Sequence, residues 1–276
     1  SYNIIHVVEL ESIKLVIRVP ATGCGSGMTL VAARAMESQV ATMRLIRNKT
    51  TIPVPEIYAL DTTDNNEISA PYICMSFIPG KTLSEVWFDH SGTVPREELR
   101  HRILTSLSRT MAQFSCLAFD QMGSIMTDGS GAIVAASGPF DSTSGFLDKN
   151  SIPSSNEHVW DTAEAKVLEA IKDSLPALDS PPGCVLCLPD FDSQSVLVDD
   201  EGSVTALIDW DLAQTMPRFV GYIRYTGWIT RDWDPLMYGW PKMAESEDSP
   251  ETLERYRAYY NTEANVYLRE VHKEST

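Results

Sequence analysis

The stretch Leu188-Pro-Asp-Phe-Asp-Ser-Gln-Ser195 runs on through Val196-Leu-Val198, Asp199-Asp-Glu-Gly202 and Val204-Thr-Ala-Leu-Ile208 to Asp209-Trp-Asp211, and it decides how the chain is read. Two apolar runs rich in valine enclose a polar turn that ends in glycine, which is the pattern of a β-hairpin. Asp190 stands before the hairpin and Asp209 after it, nineteen residues on. Just upstream, Cys184-Val-Leu-Cys-Leu188 is a short apolar run. Its CxxC has no second CxxC or paired histidine to complete a zinc site, so Cys184 and Cys187 read as buried strand residues.

Working back to the N-terminus, residues 2–10 and 13–20 alternate as two strands of a hairpin, with Arg18 on the face of Lys14 and Val16. Helical spacing over Met28 to Asn48 ends at Thr51-Ile-Pro-Val-Pro55, and strands are expected at Glu56–Leu60 and Pro71–Ile78. Beyond Pro79-Gly80 the character turns helical, at Pro95–Phe114, Asp161–Leu175 and Pro250–Glu270. Residues 120–157, rich in Gly, Ser and Asp, read as extended loop. The expected arrangement is α+β, with a small β-rich lobe at 1–78 and a larger helical lobe at 79–276.

The 276 residues, 43% of them hydrophobic, suffice for a substantial core. Lys and Arg number 22 against 38 Asp and Glu, a net charge of −16. Such a balance repels nucleic-acid phosphates and anionic membranes and tolerates a cationic small substrate. The apolar runs fall far short of a membrane span, and the first ten residues lack the charged start and apolar block of a secretory signal. Five scattered cysteines do not form a disulfide framework, which fits a reducing compartment, so a cytoplasmic protein is expected.

The quoted stretch resembles the catalytic region of the aminoglycoside phosphotransferase family, above all its fungal members, whose catalytic loop reads HxDxxxxN and whose metal motif opens with Asp after a hairpin. The likeness continues through Gly-Tyr-Ile-Arg224, Trp-Ile-Thr-Arg-Asp-Trp-Asp-Pro235, Ile52-Pro-Val-Pro55, Tyr72-Ile-Cys-Met-Ser-Phe-Ile-Pro-Gly80 and Arg257-Ala-Tyr-Tyr260. It implies a two-lobed protein-kinase-like fold and transfer of the ATP γ-phosphate to a hydroxyl of a small molecule. Asp190 then takes the catalytic-loop position and accepts the hydroxyl proton, while Asp209 holds Mg²⁺ on the phosphates. Arg18 matches the phosphate-binding strand position. Main-chain groups near Met75, Ser76 and Phe77 match the adenine-contacting hinge.

Three positions depart from the family pattern. Leu188 stands for the loop His, Ser195 for the metal-binding Asn, and Gln39 for the helical Glu that partners the strand cation. Ser195 offers a shorter hydroxyl to the metal. Gln39 shares a helix face with Ala35, Met36, Met43 and Ile46, so it should point inward and give a neutral hydrogen bond instead of an ion pair. The chain also begins where the family's Gly-rich phosphate loop would finish, which implies an incomplete nucleotide cover. The alternative of a different class is a catalytically inactive kinase-like protein that binds nucleotide or a partner. Gly23-Cys-Gly-Ser-Gly27 lacks the GxGxxG spacing of a dinucleotide loop, and the five histidines sit beside no nucleophile. The aromatic residues Trp228, Trp233, Trp240, Tyr222, Tyr225 and Tyr238 read first as packing and second as a substrate pocket.

Overall fold

The computed structural model describes residues 3–21, 28–89, 91–128, 133–135, 184–217 and 225–274, together with the single positions 145, 163, 166, 167, 169, 170 and 173. The glycine-rich run 23–27, most of the expected helix 161–175 and the segment 221–224 lie outside these residues.

A four-stranded antiparallel sheet, ordered β1-β2-β4-β3, forms the N-terminal region from β1 (Asn3–Glu9), β2 (Lys14–Pro20), β3 (Ile57–Asp61) and β4 (Tyr72–Ser76). All four match expected strands within two residues. β1 departs in its burial: Ile4, Ile5 and Val7 are about half exposed, because β1 is the edge of the sheet and pairs only with β2. The inner position of β2 buries Arg18, which stands in register between Ile5 and Ile73.

Helix α1 (Leu30–Lys49) starts where Thr29 Oγ1 accepts the Ala32 amide at 3.1 Å, satisfying one of the orphan donors of the first turn. At its other end Arg47 and Lys49 complement the negative end of the helix dipole, and the Thr50 hydroxyl donates to the Ile46 carbonyl at 2.7 Å. Met36, Gln39, Val40, Met43 and Ile46 form the buried stripe, so Gln39 points inward as its spacing predicts.

The C-terminal region is built on α3 (Arg96–Ala112) packed against α4 (Pro250–Glu274), with the short α2 (Leu83–Val86) leading into Trp87. Trp87 meets Tyr256 and Trp228 edge to face at 5.5 and 6.3 Å. A buried polar knot locks this junction. Arg100 donates to Asp248 at 2.6 Å and to the Trp87 carbonyl, Trp87 Nε1 donates to the other Asp248 oxygen at 2.9 Å, and the Tyr256 hydroxyl donates to Glu97 at 2.7 Å.

Burial pushes the Tyr256 phenol up to about 12, with its hydrogen bond to Glu97 as the next cause. An acid whose pKa is higher in the fold than in the unfolded chain keeps its proton better when folded. Stability is therefore expected to be unaffected by Tyr256 below its ordinary value of 10.0 and to fall as pH rises from there toward about 12. Urea midpoints across that range should show the decline, and Tyr256→Phe should flatten it; an equally steep decline in the variant would contradict the assignment.

Two further antiparallel sheets complete the described structure. β5 (Lys81–Thr82), β9 (Val196–Val198) and β10 (Val204–Leu207) carry the hairpin read from the sequence. Its turn closes on Asp199, whose Oδ1 accepts the amides of Glu201 and Ser203 at 3.0 and 2.8 Å. Gly202 has φ +88°, and a Cβ there would stand 3.2 Å from the Leu99 carbonyl, so the turn requires glycine. The other sheet, β7-β6-β11-β8, joins β6 (Gly123–Thr127), β7 (Ile133–Ala135), β8 (Cys184–Cys187) and β11 (Gln214–Pro217). β6 and β7 fall where extended loop was expected. Alternation is short there, and pairing with β11 supplies the order that the local sequence does not announce. β8 is buried throughout, as its apolar run predicts.

Candidate functional site

Strand β8 delivers the chain to the loop at Leu188. Leu188 and Phe191 are both buried, and between them Asp190 is exposed. Anchoring on both sides turns the Asp190 carboxylate outward. Asp192 then caps a single 3₁₀ turn, Ser193–Ser195, by accepting the Ser193 amide at 2.7 Å. The Ile208 amide donates to the Ser195 carbonyl at 2.9 Å, which ties the start of the hairpin to its end and brings Asp209 alongside the loop.

Trp210 fixes the turn that follows. It is 1% exposed, its Nε1 donates to the Leu207 carbonyl at 2.9 Å, and it packs edge to face on Phe114. With Trp210 driven inward, Asp209 and Asp211 flank it on the opposite side. Asp209 adopts φ +64° and Leu212 φ +59°, the left-handed region that costs a branched or bulky residue conformational energy.

Arg18 closes the constellation from β2. Its guanidinium donates to Asp209 Oδ1 at 3.1 Å and also to Asp211 Oδ2, and Asn3 Nδ2 donates to the same Asp211 oxygen at 3.1 Å. Burial pushes the Asp209 carboxyl above its ordinary value; the negative charges of Asp211 and Asp190 act in the same direction, and Arg18 opposes them. Asp190, Asp209 and Asp211 thus form one electrostatic group with one buried cation. The oxygen donors are hard and anionic, the chemistry that holds Mg²⁺ through one or two carboxylates while phosphates fill other positions.

A family profile described as the phosphotransferase enzyme family (APH) matches residues 11–261, nearly the whole chain and the whole constellation except Asn3. The chain belongs to the phosphotransferase enzyme family. Among solved structures, aminoglycoside phosphotransferase APH(4)-Ia shares 18% identity at a TM-score of 0.52, over 98% of this chain and 90% of that one. A thermostable mutant of the same enzyme, in a ternary complex with ADP and hygromycin B, gives 15% identity and a TM-score of 0.51 over the same shares. These likenesses establish the kinase-like fold. Among curated proteins, a subtelomeric hrmA-associated cluster protein of Aspergillus fumigatus is 33% identical over 88 residues, 32% of this chain and 16% of that protein. Altered inheritance of mitochondria protein 9 of Candida albicans is 28% identical over 116 residues, 41% of this chain and 18% of that one. The matched stretch spans less than a fifth of either curated relative.

Within this phosphotransferase-family chain the other expected site residues are distributed less simply. Ser195 is wholly buried, and its hydroxyl has no hydrogen-bond partner among the described residues. Gln39 is buried on α1, yet the hydrogen bonds that Arg18 makes among the described residues go to Asp209 and Asp211 and not to it. At the hinge, Met75 is buried, the Ser76 amide donates to the Glu56 carbonyl at 2.8 Å, and the Phe77 amide donates to the Lys14 carbonyl at 3.1 Å. Lys14 also lies over the Phe77 ring at 4.5 Å. Asp211 and Asn3 received no role from the sequence. The signal for Asp211 was its place two residues beyond Asp209 across an indole, while Asn3 carried none.

Among the described residues, a groove of about 700 Å³ lined by His101, Arg102, Arg109, Glu201 and Tyr259 among others contains none of the expected site residues. Its position between α3, α4 and the β9–β10 turn reflects the packing of those elements. Among the described residues, no helix is long and apolar enough to cross a membrane.

Proposed function

We propose that this chain is an ATP- and Mg²⁺-dependent phosphotransferase acting on a hydroxyl of a small molecule. The observation that carries the reading is the convergence of Asp190, Asp209 and Arg18 from three separate elements on one electrostatic group. Asp190, exposed beside the loop, accepts the proton of the attacking hydroxyl. The oxygen–phosphorus bond to the acceptor forms as the bond between the γ-phosphorus and the bridging oxygen breaks, and ADP leaves with the electron pair. Asp209 is the carboxylate that fits a phosphate-bound Mg²⁺, which would screen the charge of the phosphates during transfer. Arg18 supplies a fixed positive charge to the same phosphates.

Main-chain groups around Met75, Ser76 and Phe77 serve as the adenine-contacting strand end, where the Ser76 and Phe77 amides are engaged by the Glu56 and Lys14 carbonyls. Gln39 supports the sheet side of the site as a neutral residue. Ser195 stands at the motif's metal position, with its hydroxyl buried beneath the loop.

The acceptor side is the segment next to the catalytic loop. Gly227 lies close enough to Asp192 that a Cβ would stand 3.2 Å from its carboxylate, and the Asp192 charge, though a lesser cause than the bond to Glu247, helps raise the Arg231 pKa. Exposed Trp233 and Asp234 follow. Trp233 already carries the Arg257 guanidinium over its ring at 5.2 Å, so the argument rests on the carboxylates: with a chain net charge of −16 they suit a cationic small molecule over a nucleic acid. The solved complex of an APH(4)-Ia mutant with ADP and hygromycin B, a small molecule bound together with a nucleotide in that neighbour, supports the reading.

A second reading, a kinase-like protein that binds nucleotide without turnover, draws on the buried hydroxyl at Ser195 and the neutral Gln39. Asp190→Asn separates the two. If the chain is an enzyme, the substitution should lower ATP turnover by about 10²-fold or more while nucleotide affinity stays within about threefold, as removal of a general base does. Equal turnover in both proteins would favour the non-catalytic reading.

A further inference from the structure

The two carboxylates best placed for a divalent cation are already engaged by a cation of the chain itself. Arg18, its side chain 9% exposed, lies against Asp209 and Asp211 together, and Asn3 adds a donor to Asp211. Resting on the phosphotransferase reading, we infer that Asp211 is the second carboxylate of the cation site and that Arg18 guards this site until a nucleotide's phosphates draw its guanidinium away.

The geometry makes the guarding specific. The main chain of Arg18 is pinned in the middle of the sheet, in register with Ile5 on one side and Ile73 on the other, so only its side chain can move. Buried Trp210 keeps Asp209 and Asp211 on one side of their turn, where one planar guanidinium spans both. While it does so, a divalent cation would have to enter beside a fixed positive charge and share oxygens already engaged. A guanidinium matches phosphate oxygens at least as well as carboxylates, because its parallel N–H donors pair with either in a fork. Transfer of Arg18 to a phosphate uncovers two hard oxygen ligands at the moment when phosphate oxygens arrive to complete the shell of a small cation. Nucleotide and cation therefore bind as a coupled pair, and the coupling is reciprocal: each raises the affinity of the other by the same factor.

Manganese titrated into the full chain at about pH 8, where free carboxylates are ionised, reads the site directly by calorimetry or by loss of the free-ion paramagnetic signal. Wild type should bind Mn²⁺ at least about tenfold more tightly with AMP-PNP present than without it. Arg18→Gln should bind Mn²⁺ alone at least about tenfold more tightly than wild type, and AMP-PNP alone at least about tenfold more weakly. A damaged fold would weaken both, so the opposite signs identify the guard; Arg18→Lys, with one point charge and no fork, should fall between the two proteins. Adding Asp211→Asn to Arg18→Gln should remove most of the gain in Mn²⁺ affinity. Mn²⁺ affinity within about twofold between wild type and Arg18→Gln would overturn the inference, and no effect of Asp211→Asn would remove Asp211 from the site. Failure of AMP-PNP to bind any of these proteins would sink the phosphotransferase reading instead, while the Mn²⁺-only comparison would still decide whether Arg18 guards the carboxylates.

Discussion

Asp209→Ala is expected to abolish the Mg²⁺-dependent part of nucleotide stabilisation. A ligand at about 100 times its Kd stabilises the folded state by roughly 2.7 kcal/mol. For a chain of this size that is a rise in melting temperature on the order of 5–10 °C. Wild type should show the rise with Mg²⁺ and ATP together, and the variant should show only what ATP gives alone. The fold should survive the change, because Asp209 is partly exposed and Arg18 keeps Asp211 as a partner. The left-handed backbone at φ +64° is a second, smaller cost of the change, since alanine is less at ease there than aspartate. An unchanged Mg-ATP shift in Asp209→Ala would take this residue out of metal binding.

The largest loss of stability is expected at Asp248, far from the chemistry. Its carboxylate accepts from Arg100 at 2.6 Å and from Trp87 Nε1 at 2.9 Å, with Arg96 3.5 Å away, and the side chain is buried. Asp248→Ala leaves the Arg100 guanidinium, only 4% exposed, with its charge uncompensated among Trp87, Phe88 and Tyr256. Breaking one side of a buried pair costs about 3–5 kcal/mol, a third or more of what holds a typical domain together. Urea unfolding should show the lower midpoint at an unchanged slope. Replacing both partners, Arg100→Met with Asp248→Leu, should recover part of the loss, because the buried Arg100 charge is no longer stranded while Trp87 Nε1 and Arg96 still lose the carboxylate. A single-variant loss below about 1 kcal/mol would mean that water already reaches the pair.

The frame of the protein was legible where local chemistry and tertiary order agree. The Asp199 turn with its glycine, the buried run at Cys184–Cys187, the proline-terminated α1 and the β1–β2 hairpin each carry a backbone requirement that a particular residue type meets. The two-lobed kinase-like class followed from the order of these elements and from the resemblance. What stayed hidden depends on partners distant in sequence. β11 is four residues ending in proline, and it is a strand only because β6 and β8 lie on either side. The exposure of β1 follows from its place at the edge, which alternation cannot encode.

At the candidate site, the aspartates at 190 and 209 were picked out by the family resemblance of the residues around the hairpin, because two aspartates flanking a hairpin are common by spacing alone. The inward turn of Trp210, which sets Asp211 beside Asp209, was not. Periodicity placed Gln39 on the buried face, but nothing local told that Arg18 would reach past it to two carboxylates. Ser195 was read as a metal ligand from its position in the motif. Its burial comes from the packing of α2 against the 3₁₀ turn, a contact between segments more than a hundred residues apart.

Turnover is the most direct test of the central claim that this constellation transfers a phosphoryl group. Phosphorus NMR of ATP and Mg²⁺ incubated with the full chain, with water as a slow acceptor and hydroxyl-bearing cationic small molecules added in turn, follows the fate of the γ-phosphate. The account expects ADP to form with either inorganic phosphate or a new phosphomonoester, at a rate that Asp190→Asn lowers by about 10²-fold or more. ATP that binds yet forms no ADP above the Asp190→Asn background would contradict it.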